Sequence, residues 1–173
     1  DAPATGEMFL TDVYQGLGDL PRGSIKRLRI IQIFPKTTPL ANRPAIGLAG
    51  EENARAILGT VPVEADGSAR FVVPAHKAIL FQALDPDGPA YQTVRSVTYV
   101  QPGEKVSCVG CHESRLTAPV SATPTAMRRP PSKIEPGPLG DRPFSYVEMI
   151  QPVWDKHCVE CHAPGKKQSG GID

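Results

Sequence analysis

ILGTVPVE at residues 57–64 and ARFVV at 69–73 flank Ala65-Asp66-Gly67-Ser68, and their reading decides the fold. Both runs carry β-branched residues, which suit a pleated, half-buried surface. Asp-Gly between two apolar runs is a strong hairpin signal, because glycine accepts the positive φ that a tight turn demands. The pattern repeats downstream. AILFQAL at 78–84 reads as a third strand, Asp85-Pro86-Asp87-Gly88 as a turn, and YQTVRSVTYV at 91–100 as a strand alternating up to Gln101-Pro102-Gly103. Short strands separated by such turns predict a mainly β chain, with an antiparallel β-sandwich-like N-terminal domain over residues 1–105.

Upstream, SIKRLRIIQIF at 24–34 reads as a strand ended by Pro35, and Val13-Tyr14 as the start of another. Residues 35–55 are polar and contain proline, so a long loop or a short helix around 51–56 is expected. Downstream, residues 117–143 are dominated by Pro, Ser, Thr and Gly. Such a stretch cannot bury enough apolar surface to fold alone, and reads as a linker or a strap lying over a cofactor. Arg128-Arg129 within it reads as a solvated patch or as an ion-pair partner for a haem propionate. In FSYVEMIQPVWDKH (144–157), Tyr146, Val147, Ile150, Val153 and Trp154 fall at helical spacing. Ser145 and Glu148 form a capping-box pair, and Pro152 is expected to kink or split the helix.

All four cysteines sit in two copies of Cys-x-x-Cys-His: CVGCH at 108–112 and CVECH at 158–162. This is the attachment pattern of c-type haem. The two thiols, Cys108 with Cys111 and Cys158 with Cys161, add across the vinyl groups of one porphyrin. His112 or His162 then lies under the ring as the proximal iron ligand. The competing readings are weaker. Zinc ribbons place roughly 15–20 residues between their cysteine pairs, whereas residues 112–157 intervene here. Two covalently attached haem c groups are therefore expected, on a first motif segment at 106–116 and on a partial cytochrome c-like segment at 144–173 with one short helix before its motif.

Four histidines are present: His76, His112, His157 and His162. With His112 and His162 assigned, His76 and His157 remain for two distal positions, which is the arithmetic of a bis-histidine pair. His157 directly precedes Cys158 and is poorly placed for its own haem, so it is expected to serve another.

A net charge of +1 implies neither a nucleic-acid partner nor an anionic membrane. No stretch approaches the roughly 20 apolar residues of a membrane span. With 19 prolines and 16 glycines, loops and extended segments are expected in place of a helical bundle. Haem of this type is attached outside the cytoplasm, so a periplasmic or extracellular protein is expected, read as a mature form or as part of a longer one. The sequence after His162 is expected to be too short to wrap a haem. Either the chain is a fragment, or redox partner proteins or neighbouring copies are expected to cover that haem, and a head-to-tail contact of that kind would propagate into a homopolymer.

LGTVPVE (58–64), Asp66-Gly67-Ser68, FQALD (81–85), RSVTY (95–99) and QPGE (101–104), leading into SCVGCHE (107–113), together resemble the hydrazine synthase alpha subunit middle domain. The same module recurs in large multidomain cytochromes of planctomycetes. IQPVWDKHCVECH (150–162) with Gly170-Gly171-Ile172-Asp173 is similar to the opening of the planctomycete-type cytochrome c domain. The resemblance implies a catalytic haem whose axial ligand is a tyrosine four residues past the motif histidine, with that histidine on zinc. Leu116 occupies that position here. The unusual catalytic haem is thus not carried over, and His112 is expected in the ordinary proximal role.

The leading expectation is an exported dihaem electron carrier with two low-spin bis-histidine haems, more an electron-transfer protein than an enzyme, and a candidate repeating unit of a haem filament. The alternative is a redox enzyme of the hydrazine synthase-like type, with one open-site haem acting on a small nitrogen compound or peroxide. A third reading makes the sandwich a module that docks the haems onto a partner.

Overall fold

The computed structural model describes residues 4–114, 116, 118, 123–138, 140, 142–143 and 145–162. The chain divides into two units, Asp1–Arg142 and Pro143–Asp173. Seven strands build the first: β1 (Thr5–Leu10), β2 (Arg27–Ile33), β3 (Arg55–Pro62), β4 (Ala69–Pro74), β5 (Ile79–Leu84), β6 (Ala90–Thr98) and β7 (Lys105–Cys108). They form two sheets, ordered β4-β1-β7 and β3-β2-β5-β6. The mainly β, sandwich-like architecture is as the sequence predicts.

The Asp66-Gly67 turn holds a surprise. It exists, with Gly67 at φ 85° and the Glu64 N–H donating to Ser68 O at 2.8 Å. The strands on either side nevertheless belong to different sheets. The segment is a corner that carries the chain from one layer to the other. The reason lies in what holds the turn. The Val13 N–H donates to Gly67 O at 2.8 Å, and Asp66 Oδ1 accepts from both the N–H and the hydroxyl of Ser68. These bonds stabilise the turn without extending a ladder. The true hairpin is β5–β6, where Asp85 Oδ1 accepts the N–H groups of Asp87 and Gly88.

Other elements differ in detail. Val13 and Tyr14 follow β1 and are buried in turns without starting a strand. Residues 35–54 contain no helix, and β3 begins at Arg55. β7 runs parallel to β1, with Leu10 opposite Cys108, in an otherwise antiparallel arrangement. The core between the sheets gathers Met8, Leu28, Ile30, Val61, Phe71, Val73 and Ile79, all essentially excluded from water. The alternation of β1 and β4 places every second residue there, as a period of two requires.

The described part of the Pro-rich segment lies against the sandwich as a strap. After a short 3₁₀ turn, Thr125–Arg128, it bridges both layers: Ser132 pairs with Phe71 of β4, and Glu135 with Thr60 of β3. Arg129 binds Glu64 at 2.5 Å, and Arg27 pairs with Glu135. The strap therefore closes the β3/β4 edge, and Arg129 finds its acidic partner within the protein.

In the second unit, Tyr146–Ile150 forms a π-helical turn that passes into α1 (Gln151–His157), with Pro152 in the first turn of α1. The Ser145 hydroxyl accepts the Glu148 N–H, as the capping pattern predicts. None of the helical residues is buried: Val147 is 73% exposed and Trp154 47%.

Candidate functional site

The first Cys-x-x-Cys-His motif begins as the end of a strand. Cys108 closes β7, and the ladder to β1 continues beyond it: Thr11 N–H donates to Cys108 O and Asp12 N–H to Val109 O, both at 3.0 Å. The backbone then passes so close to the turn after β1 that side chains do not fit. A Cβ on Gly110 would lie 2.3 Å from the Gln15 Cβ, and one on Gly16 would lie 2.2 Å from His112 O. Gly16 also has φ 81°. These two glycines seat the motif against residues 15–16.

The seated motif forms one wall of a cleft of about 730 Å³, lined by Cys108, Gly110, Cys111, His112 and Glu113. The opposite wall is the start of the edge strand β6, chiefly Tyr91, Gln92 and Val94. Both thiols thus face the same space at the sandwich edge that the strap leaves open. Burial, with smaller contributions from Cys108, Glu113 and Asp12, pushes the Cys111 thiol up to about 12. Burial and then Glu113 raise Cys108 as well. Both are protonated at neutral pH. No cysteine among the four is in a disulfide.

The second motif follows α1 as a single turn: the N–H groups of Cys161 and His162 both donate to Cys158 O, at 3.1 and 2.8 Å. Cys158 is half-buried, while Cys161, His157 and His162 are exposed.

His76 is not brought to the first motif. It occupies the turn after β4 at φ 60°, its N–H on Val100 O. Pro74 lies opposite Thr5 at one end of β1, whereas Cys108 lies opposite Leu10 at the other. Five strand steps of roughly 3.3 Å separate those ends. Leu116 is 96% exposed and does not line the cleft. The β6 wall and the Gln15-Gly16 seat were not singled out by the motif analysis. Gly16, between the polar Gln15 and Leu17 in a Gly-rich stretch, was the one local hint of a close approach.

A family model for the hydrazine synthase alpha subunit middle domain matches residues 23–113, more than half of the chain. The chain belongs to that family. The match covers β2 to β7 and ends one residue after His112. The hydrazine synthase subunit alpha of Kuenenia stuttgartiensis is 30% identical over 113 residues, which are 57% of this chain and 14% of that protein. The solved hydrazine synthase of the same organism superposes with a TM-score of 0.74 at 21% identity, covering 95% of this chain and 30% of that one. The fold is therefore shared, and the chain spans only a minor part of each of these hydrazine synthase relatives.

These findings correct the leading functional expectation. A dihaem electron-transfer cytochrome, or a filament unit made of such haems, is not what the hydrazine synthase family indicates: its members are parts of an enzyme. The expectation of a carrier without catalytic activity falls with it. It rested on counting histidines, and a count carries no position; His76 sits at the wrong end of its sheet for the first motif. Among the described residues no helix is long and apolar enough to cross a membrane.

Proposed function

We propose that this chain is the haem-bearing middle domain of a redox enzyme of the hydrazine synthase type, with one open-site haem acting on a small nitrogen compound. The observation that carries the reading is the cleft. Its volume falls within the roughly 300–1,000 Å³ of small-molecule and cofactor sites, and two thiols with the spacing of thioether attachment lie on one of its walls. Among the described residues lining it there is no methionine and no histidine besides His112. The residues fit a haem c in which Cys108 and Cys111 would hold the porphyrin edge and His112 one iron face.

When bound, the haem would supply a redox-active iron with a vacant coordination position. The protein's own part is to hold that vacancy open. The β6 wall offers Gln92 as a hydrogen-bonding group and Tyr91 as a phenol at the rim. Glu113 adds a carboxylate beside His112. Cys158, Cys161 and His162 would attach a second haem, with His157 a candidate ligand to a neighbouring one. Haem attachment of this kind would place the protein in the periplasm or outside the cell. Its partners would be the remaining parts of the enzyme and a redox protein.

The test is optical. The haem-loaded protein, reduced and exposed to carbon monoxide, is expected to bind it at one haem, and the ferric form to show a high-spin signal. Two low-spin haems that refuse carbon monoxide would refute the reading.

A further inference from the structure

Behind the cysteines a second, smaller space of about 140 Å³ penetrates between the two sheets. Its lining is almost wholly apolar: Met8 and Leu10 of β1, Leu28 of β2, Phe71 of β4 and Phe81 of β5, with Cys108 and Cys111 on the side of the cleft. The Phe71 and Phe81 rings, one from each sheet, meet edge to face at 5.9 Å. Met8 and Leu28 are each 2% exposed, so the floor belongs to the packed core, while along β6 the space opens to solvent beside half-buried Val94 and exposed Ser96.

Size and chemistry restrict what such a space can hold. It is several-fold smaller than the cleft in front of it, too small for a porphyrin. A buried water usually makes about three hydrogen bonds, and the lining offers at most two side-chain partners, the Ser96 and Thr98 hydroxyls, so water is held there only at the lower limit. An ion would have to shed its hydration shell with no counter-charge waiting. Apolar cavities of about 150 Å³ stay dry and take up xenon or benzene. We infer that this space is a docking site for a small, uncharged, weakly polar molecule of two or three heavy atoms, which enters and leaves on the β6 side past Ser96. Its relevance to turnover rests on the haem reading of the cleft; the binding itself does not. It would select uncharged from charged species by desolvation alone and hold the former beside the cleft.

Xenon is the probe. The full chain with haem attached is pressurised with xenon, as a crystal or in solution by xenon NMR. One xenon is expected between Phe71 and Phe81. Leu28→Phe, which fills the space, is expected to reduce occupancy at least several-fold, and Phe81→Leu, which enlarges it, to raise it. Carbon monoxide binding by the same samples is recorded separately. Xenon uptake without carbon monoxide binding keeps the cavity and refutes the enzyme reading. Absence of xenon, a porphyrin edge found in the space, or unchanged occupancy in both variants overturns the inference.

Discussion

The N–H of Ala126 donates to the hydroxyl of Ser68 at 3.0 Å, with both residues completely buried. One bond thereby joins the strap to the corner between the sheets. Ser68 in turn donates to Asp66, whose other oxygen accepts the Thr125 N–H at 2.6 Å. The corner and the strap form a single polar network.

Ser68→Ala is expected to destabilise the protein by about 1–3 kcal/mol, because the Ala126 N–H is left buried without its acceptor. Urea unfolding of the two proteins measures it. An unchanged midpoint would show that the strap is not anchored there.

Burial pushes the Asp66 carboxyl up, but hydrogen bonds from the Ser68 hydroxyl, Thr125 and the Ser68 N–H outweigh it and hold the group well below the usual carboxylate range. A depressed carboxyl stabilises the fold above its ordinary value of 3.8, and that contribution is lost as pH falls below it. The stability gap between the native protein and Asp66→Asn should therefore be wide at pH 7 and shrink in acid. Parallel stability curves across that range would contradict the network.

Gly16→Ala and Gly18→Ala separate contact from backbone strain. Both positions have positive φ, 81° and 66°, but a Cβ meets His112 only at Gly16 and nothing within 4 Å at Gly18. Gly18→Ala is expected to cost roughly 1–2 kcal/mol, and Gly16→Ala clearly more, with His112 displaced. Thermal melts of both variants check this; equal losses would mean that residue 16 does not seat the motif.

In chain prepared without haem, alkylation at pH 8 should reach exposed Cys161 first and Cys111 last. The thiolate is the reactive form, and burial keeps Cys111 protonated up to about 12. Peptide mass spectrometry over time ranks the four. Cys111 reacting as fast as Cys161 would place it outside the sandwich.

Sequence patterns conveyed strand existence well and strand partnership poorly. Alternation in 69–73 and the Asp66-Gly67 signal are local, so they mark a strand and a turn whichever sheet follows. The bonds that make the turn a corner come from Val13, and those that tie it to the strap come from Thr125 and Ala126, 59 and 58 residues away. The motif cysteines were legible because the Cys-x-x-Cys-His spacing is local and stands out wherever the chain places it. Their cleft was not, since its second wall is β6, whose facing residues carry no distinctive chemistry. The histidine count carried no position: it did not show that His76 lies beyond the Thr5 end of β1 while Cys108 lies opposite Leu10 at the other end.

The parallel pairing of β7 with β1 also has a consequence in time. Glu7 meets Lys105 and Leu10 meets Cys108 across almost a hundred residues, and contacts of such separation close late because the intervening chain must be ordered first. The hairpin β5–β6 can form while the motif is still free. Nascent chain thus passes through an interval in which Cys108 and Cys111 are still open to solvent. Docking of the last strand ends that interval, so any covalent attachment at these thiols would be in a race with folding.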